Sequence, residues 1–360
     1  MKTATRCAIE LLQQLIATPS HSRDEGATAD LLYRYLTERG ATVERMHHNL
    51  VARAPHYDAT RMTLLLNSHH DTVRPAAGYT RDPYTPTIEG DHLYGLGSND
   101  AGASLVALVE VFLHLMTREM PFNLVLLLSA EEECGGEHGI RAVVPHLDAT
   151  RTMAIVGEPT SMQAAVAERG LVVLDCEAKG VSGHAARGEG VNALYIALDD
   201  IQTLRTLHPE RTSVVLGPMA ITTTMISCGT QHNVVPDSCR FVVDCRTTDA
   251  YTNEEVVELI RSAIRSEAVP RSTRIRASVI TDEHPLVRAA VQAGAECFVS
   301  PTTSDRTLMP FPALKIGPGD SSRSHTADEY VLISEIERGV EIYLQIIENL
   351  ATEYGNQTVG

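Results

Sequence analysis

Basic residues are scarce in this 360-residue chain. Thirty lysines and arginines face 46 aspartates and glutamates, for a formal net charge of −16 and a pI near 5.4. Nucleic acids and anionic membranes are gripped through basic surface, so neither is expected as a partner. The seven cysteines are odd in number and lack Cys-x-x-Cys spacing, which argues against a disulfide framework and a thiolate zinc site. A reduced, cytoplasmic setting is the simplest reading, with Cys134 expected as a small buried filler. No apolar run suits a bilayer: the longest, Leu105 to Met116, is short and broken by Glu110 and His114. Ala8 to Ile16 is interrupted by Glu10, Gln13 and Gln14, which suits a surface helix better than a signal core. Internal repeats, low-complexity tracts and a Ser-His-Asp constellation are also missing. A soluble globular protein is what remains.

The length allows two domains and a substantial core. Up to about Ala167, helical patterns alternate with apolar strand-like runs, the signature of an α/β domain with a mostly parallel sheet flanked by helices. From Glu168 the character changes. Leu171 to Ala178 reads as a strand, Val191 to Leu207 as a helix, and Met219 to Ser227 and Ser238 to Asp244 as strands. Asn253 to Glu267 reads as a helix and Arg274 to Ile280 as a last strand. That β-α-β-β-α-β order over 168–281 is ferredoxin-like. Pro285 then starts a helix, Leu286 to Ala295, and returns the chain to its first pattern.

Five patches carry chemistry: His69-His70-Asp71, Asp100, Glu131-Glu132-Glu133, Glu158 and His325. The first three follow apolar runs that read as strands, Met62 to Leu66, the segment ending at Leu96, and Leu124 to Leu128. Ligands bind beyond the carboxyl ends of strands in open α/β sheets, and nitrogen and oxygen donors meeting at one rim suit a hydrolytic metal site. In an extended strand His69 and Asp71 share a face, so Asp71 can accept the second imidazole N–H of His69. Each patch has a plainer reading: a polar strand end, an Asp100 cap for the helix Ala103 to Met116, a turn at Gly157-Glu158-Pro159-Thr160. Three glutamates at the end of a buried strand are harder to explain without a cation.

Taken in order, from Leu11-Leu12 through Pro19-Ser20 to Ser324-His325-Thr326-Ala327-Asp328-Glu329, these motifs resemble the dinuclear zinc metallohydrolases. That family includes acetylornithine deacetylase, succinyl-diaminopimelate desuccinylase, aminoacylase and glutamate carboxypeptidase. The resemblance implies two divalent ions, zinc or alternatively cobalt. His69 and Glu158 would hold one, Glu133 and His325 the other, and Asp100 would bridge them through a turn with a cis peptide after it. Glu132 would be the general base, and Asp71 a catalytic residue through its hold on His69. His184, in Gly183-His184-Ala185, matches a family histidine that reaches a dimer partner's active site, and Asn233 and Arg246 match positions near substrate. With His325 as a ligand, the metal-binding domain is discontinuous, 1–167 and 282–360, around an inserted dimerisation and lid domain, 168–281. One departure stands out: the family's Asp-x-Lys-Gly is Asp100-Ala101-Gly102-Ala103 here.

Gly157 to Ser161, Ala167 to Gly170 and Gly190 to Ala193 most resemble the acetylornithine deacetylase branch. That implies a homodimer hydrolysing a small N-acyl amino acid, N-acetylornithine or a relative such as an N-acylcitrulline, in arginine biosynthesis. Arg246 and Arg306 are candidate carboxylate partners. The alternatives are a succinyl-diaminopimelate desuccinylase, a dipeptidase or aminopeptidase, and a non-catalytic relative that keeps only the fold.

Overall fold

The computed structural model describes residues 2–357, with side chains over 4–355. Two compact units emerge, a large one of Met1–Val166, Ile280–Phe298 and Ser304–Gly360 and a small one of Ala167–Val279 and Val299–Thr303. The sequence pattern puts the boundaries at 167/168 and 281/282; the return of residues 299–303 to the small unit has no signal in the sequence.

At the centre of the large unit the strands Asn123–Ser129, Thr63–His69, Thr152–Val156 and Ala313–Lys315 run parallel, in that order. Antiparallel strands extend the sheet, Asn49–Arg53 and Thr42–Met46 beyond one edge and Ala164–Glu168 beyond the other. Every residue of the first three central strands is buried, as parallel strands covered on both faces require. Alternate side chains serve opposite faces. Leu64, Leu66, Leu126 and Leu128 pack with Leu11, Leu32, Phe112 and Ile346 from the helices Lys2–Ile16, Gly26–Glu38, Ala103–Leu115 and Ile333–Gln357. Leu65, Val125, Leu127 and Val156 pack on the other side with Ile140, Val143, Met309 and Phe311. The register sets Thr63 level with Asn123 and Thr152. His69, Ser129 and Val156 therefore finish at one rim, and the chain leaves them for Asp71, the glutamate triplet and Glu158.

The segment ending at Leu96 does hold a strand, as its apolar run suggests, but in another sheet. It adds no strand to the central one: His92–Tyr94 pairs with Thr87–Glu89 and Tyr330–Leu332 in a separate three-stranded sheet. Only Leu93 of the three is fully buried, too little apolar surface for a strand covered on both faces. The pairing sets the C-terminal segment beside the turn that carries Asp100.

The small unit runs Gly170–Lys179, Ala193–Arg205, Ala220–Cys228, Ser238–Thr247, Asn253–Ala263 and Glu267–Ile275 in βαββαβ order. Its antiparallel strands lie in the order Ala220–Cys228, Ser238–Thr247, Gly170–Lys179, Glu267–Ile275, the split βαβ arrangement. Val172, Leu174, Cys176 and Ala178 alternate inward against the two helices, as do Cys239, Phe241, Val243 and Cys245. The expected last strand, Arg274 to Ile280, is divided. The helix stops at Ala263, Ile264 is already extended, and the edge strand begins at Glu267, leaving only Ser278–Val279 to pair with Ala164–Glu168.

All seven cysteines are free. Burial pushes the thiols of Cys176, Cys239 and Cys245 up to about 12, so they serve as apolar filling. Cys134 is exposed, against the buried position expected of it, because the chain beyond the glutamate triplet turns out across the surface. No helix among the described residues is long and apolar enough to cross a membrane.

Candidate metal centre

His69 closes its strand with its ring turned to the rim, while His70 points to the opposite face. There the His70 Nε2–H donates to the His48 carbonyl at 3.0 Å and Nδ1 meets the Thr28 hydroxyl at 2.9 Å. Burial holds His70 down at about 4, so it is neutral and structural. The Nδ1 of His69 lies 2.9 Å from the Asp71 backbone carbonyl and 3.5 Å from the Asp71 carboxylate. The carbonyl, rather than the carboxylate expected from the sequence, is thus the closer acceptor. Either one keeps the proton on Nδ1 and leaves Nε2 as a donor atom for a metal.

The Asp71 carboxylate does other work as well. Its oxygens accept the backbone N–H groups of Glu132 (3.0 Å) and Glu133 (3.2 Å) and the Ser22 hydroxyl (2.7 Å). Glu131 differs from its neighbours: its φ is +54°, and its carboxylate turns back to accept the His138 N–H at 3.2 Å. Its own N–H donates to Glu25 at 3.2 Å. Glu25 also lies at this centre, with no motif in the sequence to mark it. It precedes the helix Gly26–Glu38 yet does not cap it, and its carboxylate, fully buried, faces the triplet instead. The one available clue was a Glu where Ser, Thr, Asp or Asn is preferred.

The five expected ligands come together in two groups. Donor atoms of His69, Asp100 and Glu158 lie within 4.8 Å of one another, as do those of Asp100, Glu133 and His325. Asp100 belongs to both: Oδ1 is 3.3 Å from His69 Nε2, and Oδ2 is 3.5 Å from His325 Nε2. His325 Nε2 also lies 3.0 Å from Glu133. The peptide between Asp100 and Ala101 is cis. No side chain caps the helix Ala103–Leu115, so Asp100 does not serve as its cap.

Electrostatics mark the centre as a place for cations. Burial, with the charges of Glu158, Asp305 and Glu133 added, pushes the Glu132 carboxyl well above the carboxylate range, and His69 opposes the rise. Burial alone would lower His69, but Asp100 and Asp71, with Glu132 and Glu158 behind them, push it well up. The hydrogen bond to Glu133 raises His325 to about 9, burial opposing it. Asp305, held by the Ser129 hydroxyl at 2.5 Å, is raised to about 6 by burial; nothing in its local sequence marked it. The surrounding carboxylates thus favour positive charge at both histidines. Nitrogen and carboxylate donors in two groups with a shared carboxylate fit a pair of divalent metal ions.

Three other expected residues lie in the small unit. His184 is exposed on Gly183–His184, paired with Val234–Val235. Its Nδ1 accepts the Ala186 N–H, and the Asn233 carbonyl beside it accepts the Ala185 N–H. Arg246 is half-exposed at the far end of the Ser238–Thr247 strand, about 26 Å along it at 3.3 Å per residue, and is paired with Asp244 at 2.8 Å. Arg306 must be withdrawn as a substrate partner. It is fully buried, and its guanidinium donates to the Ala165 and Val166 carbonyls at 2.6 Å each. No surface is left for a carboxylate.

The missing lysine also has a structural reason. A Cβ at Gly102 would lie 2.3 Å from the Gly97 carbonyl oxygen and 2.6 Å from Leu12 Cδ1. No side chain fits there while the turn keeps this form.

The chain resembles known proteins along nearly its full length. It is 28% identical to an acetylornithine deacetylase of Proteus mirabilis, covering 95% of this chain and 96% of that one. It is equally 28% identical to a succinyl-diaminopimelate desuccinylase of Sphingopyxis alaskensis, over 94% and 97% of the two chains. The fold matches the crystal structure of aminopeptidase PepT from Bacillus cereus with a TM-score of 0.75 at 19% identity, covering 96% of this chain and 99% of that one. A family model, peptidase family M20/M25/M40, matches residues 65–349, a span that begins just before His69 and passes His325. With metal-binding geometry at those same motifs, the chain belongs to the M20/M25/M40 peptidase family and is a hydrolase of it.

Proposed function

We propose that this enzyme removes the acyl group from a small N-acylated amino acid, with N-acetylornithine as its substrate in arginine biosynthesis. The observation that carries the hydrolytic reading is the position of Asp100 between His69 and His325, shared by both donor groups. His69, Asp100 and Glu158 would hold one ion, and Asp100, Glu133 and His325 the other, zinc or cobalt. When bound, the ions would activate a water and polarise the scissile carbonyl.

This chain's residues do the rest. Asp71 sets the Glu132 backbone and the His69 tautomer. Glu132, beside His69 and the other carboxylates of the centre, takes the water proton and passes it to the leaving nitrogen. His184, from a second copy of the chain, stabilises the oxyanion. The length of strand between the His184–Asn233 ribbon and Arg246 favours contributions from two copies around one small substrate. The edge strand Ala220–Cys228, largely exposed, offers a surface for such a homodimer.

Arg306, being buried, offers no partner for the carboxylate of a succinyl tail. Arg246, half-exposed though paired with Asp244, is the arginine assigned to the substrate's α-carboxylate. Unpaired thiols throughout the chain agree with a cytoplasmic setting. The experiment is a panel of N-acetyl- and N-succinyl-ornithine, N-acetylcitrulline, N-succinyl-diaminopimelate and unblocked dipeptides, assayed with zinc or cobalt. Preference for the succinyl compound or the dipeptides would replace this assignment, and full activity after chelation would end the metal-dependent one.

A further inference from the structure

Glu329 is buried to within 2% of full enclosure, and its carboxylate is spent entirely on backbone. One oxygen accepts the Gly97 N–H, and the other accepts the N–H groups of Asn99 and Asp100, all at 2.9 Å. The backbone carbonyl of Glu329 takes the Gly95 N–H at 2.9 Å. Asn99 returns the connection: its amide group donates to the Asp320 carbonyl at 3.0 Å, and its carbonyl accepts the Asp320 N–H at 2.9 Å. The Asp100 turn and the segment around His325 are therefore tied on both sides of that histidine.

We propose that Glu329 is a positioning residue that fixes Asp100 between the two donor groups, and so sets the affinity of both metal ions together. The inference rests on the metal-centre reading given above. Its physical basis is the acceptor count: a carboxylate offers acceptors on both oxygens, whereas an amide of the same shape offers one and places an N–H₂ on the other. In Glu329→Gln, whichever way the side chain turns, a donor faces a backbone donor. Either Gly97 or the Asn99–Asp100 pair must move, with no change in side-chain volume. Asp100 is common to both groups, so its displacement is felt at both ions. A residue acting only through the His325 segment would weaken one.

The test is a stepwise zinc titration of the full-length metal-free protein against a chromophoric chelator, with the visible spectrum of the cobalt form as a second readout. Wild type is expected to take up two ions. Glu329→Gln should bind both about 10- to 100-fold more weakly, the usual scale for groups that orient ligands, with an altered cobalt spectrum. Glu329→Asp, which keeps the charge but shortens the reach, should show the same joint loss and stands in if the glutamine variant does not fold. Folded variants that bind both ions as wild type does, or that weaken only one, overturn the proposal. A wild-type chain that binds fewer than two ions instead overturns the metal-centre reading and this inference with it.

Discussion

Gly102 stands where the family pattern has lysine, and its replacement by alanine measures how tightly this chain has packed that position. The new Cβ would meet the Gly97 carbonyl oxygen at 2.3 Å and Leu12 Cδ1 at 2.6 Å, roughly 1 Å inside normal contact. Backbone preference pulls the other way. Gly102 has helical angles, φ −55° and ψ −40°, where alanine is favoured by about 0.8–1 kcal/mol. Against that gain, overpacking costs about 1–3 kcal/mol. The Gly102 N–H also donates to the same Gly97 carbonyl at 3.0 Å, and losing that bond costs about 1 kcal/mol more. Gly97 cannot easily yield, since its own N–H is held by Glu329. The collision wins, and a net loss of about 1–3 kcal/mol is expected in urea denaturation of the metal-free protein. Because residues 97 and 102 bracket Asp100, zinc affinity should fall as well. An alanine variant as stable as wild type, or more stable, would refute the packing argument.

Glu132→Gln should retain metal while kcat falls by at least ~10²-fold, and Glu133→Gln should lose metal; the reverse result would shift the assignment by one residue. Apparent zinc affinity should climb with pH and level off near pH 9. His325 sits at about 9 without metal and must shed its proton to bind, so a flat profile between pH 6 and 9 would contradict its role. His184→Ala should lower kcat by on the order of 10²–10³ with little change in KM. Mixing inactive His184→Ala and Glu132→Gln copies should restore activity through heterodimers, and verified heterodimers without activity would rule out a trans histidine.

The residue types of the centre were legible in the chain because each sits in a short local pattern. His69 and Asp71 are two apart in an extended strand, Glu131 to Glu133 follow an apolar run, and Asp100 lies among glycines. Apolar and β-branched runs also announced the small unit's β-α-β-β-α-β order, since strand and helix periods are visible within a few positions. Contacts made across long stretches of chain left no such trace. Glu25 and Asp305 look like ordinary surface carboxylates in the sequence, yet both are buried at the centre. Arg306 shows the opposite failure. It looked available to substrate and is sealed under the Ala164–Glu168 strand's carbonyls.

Sequence alone determined the family, the two-part organisation and the five ligand candidates, because donor type and local spacing are properties of neighbouring residues. Tertiary structure decided the rest: that Asp100 arrives from a separate small sheet paired with Tyr330–Leu332, that Glu329 holds its turn, and that Gly102 has no room for a side chain. Each of these depends on segments more than two hundred residues apart, or on a backbone carbonyl turned to meet a particular atom. Burial and close approach are set by the packing of the whole chain, and no local pattern of residue types encodes them.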